Sequence, residues 1–217
     1  MSASAKNVMC PDCGAEQRIE VVDSVSIQRD PEIRDRVLAG TFMRFACAHC
    51  ASSYLVEADI LYTDMDRRLF VGVFPRERRS DVTACEALIG QTYDEVYVGE
   101  TPAFAQSEFG ELERRVVFGY EQLREKVVCF DAGLDDHIIE AVKVALNDVH
   151  PELGALVSLQ LVDDKYLWFA RIGIDAPPFA VERSIYQTMA DDRQQVQTLL
   201  RPLWSGSYVS AELCLTA

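Results

Sequence analysis

An α+β fold, with a cysteine-bearing β module ahead of a mixed α+β body, is predicted by three observations in this 217-residue sequence. Two Cys-x-x-Cys pairs, Cys10-Pro11-Asp12-Cys13 and Cys47-Ala48-His49-Cys50, stand 33 residues apart near the start. Short Val-, Ile- and Tyr-rich runs flank them, which is strand-like. Beyond residue 80, longer segments with apolar groups at helical spacing surround one clear hairpin.

The elements follow in order. Residues 1–7 are small and polar and carry no apolar pattern. Gln17 to Ile27 places Ile19, Val21, Val22, Val25 and Ile27 in a partly alternating strand. Asp30-Pro31 starts a helix, with Asp30 as cap and Pro31 at the first helical position. Gly40 ends it. Thr41 to Ala46 is a strand delivering the chain to Cys47, and Ser52 to Val56 is a strand leaving Cys50. Ile60–Tyr62 and Leu69–Phe74 flank a turn over residues 63–68, and Pro75 closes the run. A helix begins near Ser80 and stops at Gly90. Residues 91–110 carry no clear pattern. Helices follow over Tyr120–Phe130 and Leu134–Val149, separated by Gly133. Leu156–Val162 and Tyr166–Ile174 form a hairpin turned by Asp163-Asp164-Lys165. One helix spans Glu182–Leu200, and a last strand spans Tyr208–Leu215.

The cysteine pairs carry the strongest chemistry. Four thiolates satisfy zinc tetrahedrally, and a shell closed by four cysteines is structural rather than catalytic. A Cys-x-x-Cys turn puts two sulfurs on one side. Pro11 pre-sets the first turn, and Gly14 permits the positive φ wanted after the second thiolate. Ala48 and Ala51 occupy those places in the second. Cys10, Cys13, Cys47 and Cys50 are therefore the expected ligands of one structural Zn²⁺. A zinc-ribbon-like module over residues 1–78 follows, with a strand–helix insertion between its halves and an acidic α+β region over 79–217. The same sulfurs suit an iron–sulfur cluster. Redox Cys-x-x-Cys pairs instead open a helix, whereas strand-like sequence follows both pairs here. His49 could substitute as a ligand, but reads as a solvent-facing knuckle residue.

Net charge is −14 and unevenly placed: residues 1–80 hold 11 basic and 12 acidic groups, residues 81–217 hold 10 and 23. That balance argues against nucleic acid, which needs a basic face to displace counterions. The one basic cluster, Arg76, Arg78 and Arg79 around Glu77, reads as a solvated linker. No signal peptide and no membrane span are read from the sequence, so a cytoplasmic protein is expected. Seven cysteines, an odd number, also argue against a full disulfide framework.

At Cys10-Pro11-Asp12-Cys13, the Asp30-Pro31 helix start, Cys47 to Cys50 and the Leu61-Tyr62 to Phe74 hairpin, the sequence resembles the CpXC domain family of bacterial proteins. Leu123 to Phe130 and Gly133 to Glu140 are similar to the region downstream of that domain, so the resemblance spans about residues 8–148. Ala48 replaces the proline of the second motif and leaves the ligands intact. The resemblance implies a zinc-ribbon-like domain and supplies no catalytic residue.

Elsewhere the residues read as structural. His137 follows the capping pair Asp135-Asp136, and His150 sits at a helix end. Asp163-Asp164 is a turn. Glu111, Glu113, Arg114 and Arg115 form a solvated charged segment. Cys85, Cys129 and Cys214 are small buried hydrophobes, and Trp168 and Trp204 are packing residues. The expected function is a non-catalytic protein-interaction or scaffold module, whose partner is a second copy or a different protein. The alternatives are an enzyme of unrecognised type with its site at the domain junction, and a nucleic-acid-binding zinc ribbon.

Overall fold

The computed structural model describes residues 1–99, 111–151, 157–172 and 176–215. It divides into two compact units, Met1–Leu123 and Arg124–Ala217. Most of the unpatterned stretch 91–110, and the expected strand ends at Leu156 and Ile174, lie outside the described residues.

The first unit holds β1 (Ser2–Met9), β2 (Glu16–Ser26), α1 (Glu32–Leu38), β3 (Arg44–Ala46), β4 (Ser53–Leu55), β5 (Ile60–Asp64), β6 (Leu69–Phe74), α2 (Val82–Thr92) and β7 (Glu113–Phe118). Five strands form one sheet in the order β1-β2-β5-β6-β7, and β3 and β4 form a separate antiparallel pair. The expected boundary at 78/79 falls inside this unit, because β7 pairs in parallel along the whole of β6. β6 reads LFVGVF and is buried at all six residues, as a central strand covered on both faces must be. Its Gly72 is required by close approach. A Cβ there would lie 2.2 Å from Ile89 of α2.

Several elements differ from expectation for identifiable reasons. Residues 2–9 form an edge strand held by backbone pairing to β2, from Ser4↔Val21 to Met9↔Glu16. Most of that strand is exposed, so no apolar alternation marked it. No side chain caps α1, so Asp30 does not play the part assigned to it, whereas Gly40 ends the helix at φ 68°. The strand expected from Thr41 starts only at Arg44, after Met43 at φ 56°. Gly90 does not stop α2. Wider π-type turns carry the helix on over Tyr93–Gly99, which keeps Ile89, Tyr93 and Tyr97, four apart, on the buried side. The Tyr93 ring meets Phe70 edge-on at 5.2 Å. The charged run at 111–115 is not fully solvated: Arg115 is buried in β7 and pairs with Glu113 at 3.1 Å. The basic cluster lies in a short 3₁₀ turn, Arg76–Asp81, with Arg76 paired to Glu57 and Glu121 and Arg78 to Asp59.

In the second unit, α3 (Tyr120–Asp131, continuing from the first unit) is followed by α4 (Asp136–Val149), β8 (Val157–Val162), β9 (Tyr166–Arg171), β10 (Phe179–Glu182), α5 (Arg183–Asp191), α6 (Arg193–Leu199) and α7 (Glu212–Leu215). The three strands form an antiparallel sheet in the order β10-β9-β8. Cys129 of α3 and Ile138, Ile139 and Val142 of α4 pack on its inner residues Leu159, Leu167, Phe169 and Val181. The Asp135 side chain caps α4 by accepting from the His137 amide at 3.0 Å, as the sequence implies. The expected helix over 182–200 breaks at Asp192, whose φ of −109° and ψ of 38° are not helical.

Asp163 makes the hairpin turn. It accepts from the amides of Lys165 (2.8 Å) and Tyr166 (2.7 Å) and from the Trp168 indole (2.7 Å). The Trp168 bond first, then the two amides, hold its carboxyl below the usual range. A register shift between Leu159 and Leu161 turns Leu161 onto the outer face, opposite Trp168. Tyr208–Leu215 is not a strand. Its main chain is taken by helix side chains: Lys126 Nζ donates to the Val209 carbonyl at 2.9 Å, and the Ala211 amide donates to Glu140 at 2.8 Å.

Candidate metal centre

Two hairpin ends build the centre. The first follows β1: the Gly14 amide donates to the Cys10 carbonyl at 2.9 Å, and the Cys10 amide to the Ala15 carbonyl at 2.9 Å. The second follows β3 with the same wiring, Ala51 amide to Cys47 carbonyl at 2.9 Å and Cys47 amide to Ser52 carbonyl at 2.8 Å. The same knuckle thus occurs twice. Each needs a left-handed residue after its second cysteine, at Gly14 (φ 70°) and Ala51 (φ 59°). Glycine adopts this freely and alanine does not. Ala51→Gly is therefore expected to stabilise the chain by about 0.5–1 kcal/mol, and Gly14→Ala to destabilise it comparably, read from denaturation midpoints.

The knuckles face one another. Cys10 Sγ lies 3.7 Å from Cys50 Sγ, and Cys13 Sγ lies 3.7 Å from Cys47 Sγ. All four sulfurs fall within 4.8 Å of one another. A tetrahedron with 2.3 Å zinc–sulfur bonds has edges of about 3.8 Å, whereas a disulfide needs ~2.05 Å. The cysteines are free thiols placed as a metal-ligand set. Cys10 and Cys47 are buried with Tyr54, against Val8, Phe45 and Val56. Cys13 and Cys50 are exposed.

Two neighbours support the sulfurs. Ser52 Oγ lies 3.0 Å from Cys50 Sγ and 3.5 Å from Cys10 Sγ. Gln17 of β2 joins the knuckles: its Oε1 accepts from the Ala48 amide at 3.1 Å and its Nε2 donates to the Tyr54 hydroxyl. His49 points its side chain to solvent and donates its amide to Cys47 Sγ at 3.4 Å. The Ser52 hydroxyl, then the Cys13 amide, pull the Cys10 thiol down to about 6. Ser52 also lowers Cys50. At Cys13 the Ala15 amide favours the thiolate, but sharing with Cys50, burial, and sharing with Cys10 and Cys47 outweigh it and push the group up to about 12. Four adjacent thiols cannot all ionise alone, and a central cation removes that obstacle.

The second group of ligand-type residues, Asp135, Asp136 and His137, is already engaged. Arg193 Nε donates to Asp135 at 2.9 Å, and Lys126 pairs with Asp136 at 2.8 Å. The His137 ring bonds Asp135 at 2.9 Å and stacks on Trp204 at 4.8 Å.

Lys126 belongs to a buried ionic cluster that the sequence did not reveal. Glu125 and Lys126 of α3 and Asp136, Glu140 and Lys143 of α4 are each no more than 5% exposed. Lys143 contacts Glu125 at 2.6 Å and Glu140 at 3.0 Å, and Lys126 reaches Glu140 at 3.5 Å. The Leu159 amide donates to Glu125 at 2.7 Å.

The architecture and this centre define a mixed α+β protein whose N-terminal unit carries a four-cysteine cluster able to bind a metal. The family model described as CpXC protein matches residues 8–143, and the chain belongs to that family. That match takes in both knuckles and all five members of the ionic cluster. No curated protein matches the chain, and no solved structure does.

Proposed function

We propose that this chain is a protein-interaction or scaffold module ordered by one structural zinc ion on Cys10, Cys13, Cys47 and Cys50. The observation carrying this reading is the sulfur geometry, with cross-knuckle separations of 3.7 Å. Four thiolates fill zinc's coordination shell and leave no open position for water or substrate. Zinc bound there supplies folding energy, and the residues around it hold the ligands: Ser52 beside two sulfurs, Gln17 across the knuckles.

The partner is another protein, a second copy or a different chain. Support comes from the outer face of β8–β9, where Leu161 (58% exposed) and Tyr166 (37% exposed) stand beside Trp168. Scattered apolar residues need no explanation, but the bulge spends a register shift on turning Leu161 outward. The net charge of −14 disfavours nucleic acid. Among the described residues no helix is long and apolar enough to cross a membrane, and free thiols suit a reducing compartment such as the cytoplasm.

Reduced protein prepared without chelators is expected to carry about one equivalent of zinc by elemental analysis. Leu161→Glu is expected to lose the partner that wild type retains in a pull-down from the native cell, and to keep its zinc. Less than half an equivalent of zinc, or iron in its place, overturns the metal assignment. Equal capture by both chains overturns the surface.

A further inference from the structure

We propose that the four cysteines are also a site of oxidation by hydroperoxides, yielding two disulfides that cross between the knuckles, Cys10–Cys50 and Cys13–Cys47. This rests on the zinc assignment above and adds a reactivity to it. Each knuckle presents one exposed thiol, Cys13 or Cys50, and one buried thiol, Cys10 or Cys47. A small peroxide therefore reaches one sulfur of each knuckle in the folded chain. Cys50 Sγ lies 3.7 Å from the buried Cys10 Sγ, and Cys13 Sγ lies 3.7 Å from the buried Cys47 Sγ, each contact running across the knuckles. These two contacts set the cross-knuckle pairs in place to bond.

The consequence differs between the pairings. β3 and β4 have only three residues each, too few to stay ordered alone. Cross-knuckle disulfides keep that hairpin tied to β1–β2 after the metal leaves, whereas disulfides inside each Cys-x-x-Cys release it. The strained Ala51 (φ 59°) makes the second knuckle the half that gains by relaxing.

The chemistry balances. The Cys50 thiolate attacks the peroxide O–O bond, forming a sulfenic acid and releasing hydroxide. The Cys10 thiolate attacks that sulfur, forming the S–S bond and releasing a second hydroxide. Cys13 and Cys47 repeat both steps with a second peroxide. With hydrogen peroxide, four thiolates lose four electrons, two peroxide molecules become four hydroxides, and the sulfurs, no longer thiolates, give up Zn²⁺.

The test uses the full reduced chain and hydrogen peroxide. Zinc content is measured first, zinc release is then followed with a chelating dye, and linkages are mapped by peptide mass spectrometry. The expected result is about one zinc freed per two peroxides consumed, Cys10–Cys50 and Cys13–Cys47 cross-links, and recovered zinc binding after dithiothreitol and added zinc. Less than half an equivalent of zinc at the start overturns the metal assignment and this inference with it. A full complement of zinc followed by Cys10–Cys13 or Cys47–Cys50 linkages overturns the inference alone. So do sulfinic acids without disulfides, or zinc retained after an equal concentration of glutathione has been oxidised.

Discussion

Removing zinc with a chelator, or replacing Cys10 by serine, is expected to unfold both knuckles and the β3–β4 hairpin while β5, β6 and β7 stay paired. Structural zinc contributes ~10 kcal/mol or more in small modules. Little else holds this region. Apart from Cys10 and Cys47, its buried cluster is Tyr54, flanked by the partly buried Val8, Phe45 and Val56. Burial of one such side chain stabilises by about 1.5–3 kcal/mol, while ordering each backbone residue costs about 1–2 kcal/mol. A dozen ordered knuckle residues therefore outweigh the apolar gain without metal. The sheet differs, since all six residues of β6 are buried between β5 and β7. Hydrogen exchange should show protection lost over residues 9–15 and 44–56 and kept over 60–74 and 113–118. Unchanged protection at the knuckles after demonstrated zinc loss would sink the idea that metal orders them.

The cysteines were legible because their spacing is local: two sulfurs on one turn need Cys-x-x-Cys, and Gly14 announces the positive φ that follows. The helices around Leu123–Val128 and Ile138–Val142 were legible from apolar spacing. Ser52 and Gln17 were not, because each becomes a neighbour of the opposite knuckle only after folding. β1 stayed hidden because an edge strand exposed on both faces has no alternation to read. The burial of charge was the least legible feature. Asp136, Glu140 and Lys143 recur at helical spacing inside the acidic region over 79–217, and nothing local marks them as buried. They are buried against Glu125 and Lys126 of α3, and Val209 and Ala211, 83 and 71 residues away in sequence, supply main-chain partners to Lys126 and Glu140. No local pattern encodes such a contact.

Lys143→Met is expected to cost the second unit about 3–5 kcal/mol at pH 7, and the loss is expected to shrink as pH falls. The lysine bridges Glu125 at 2.6 Å and Glu140 at 3.0 Å. Without it Glu140 keeps Lys126 at 3.5 Å, while Glu125 keeps the Leu159 amide and has lost its nearest cation. Burial already pushes the Glu125 carboxyl up, with Lys143 the main opposing influence. Losing that influence raises the folded-state value further above the unfolded ~4.3. A raised carboxyl favours the folded chain when neutral. The penalty is therefore full above the folded-state value and disappears as pH falls toward the unfolded one. Urea melts at pH 7 and pH 5 should show a smaller deficit at the lower pH. Adding Glu125→Gln should recover part of the deficit at pH 7. Both tryptophans of the sequence, Trp168 and Trp204, lie in this unit, so their fluorescence reports its unfolding. A deficit equal at both pH values, or below about 1 kcal/mol, would mean that the pair behaves as a solvated surface bridge. An apolar pair of the same volume would stabilise a core as well or better. What the ions add is direction: Lys126 and Glu140 each hold one main-chain group of the segment 208–211, a register that apolar side chains cannot specify.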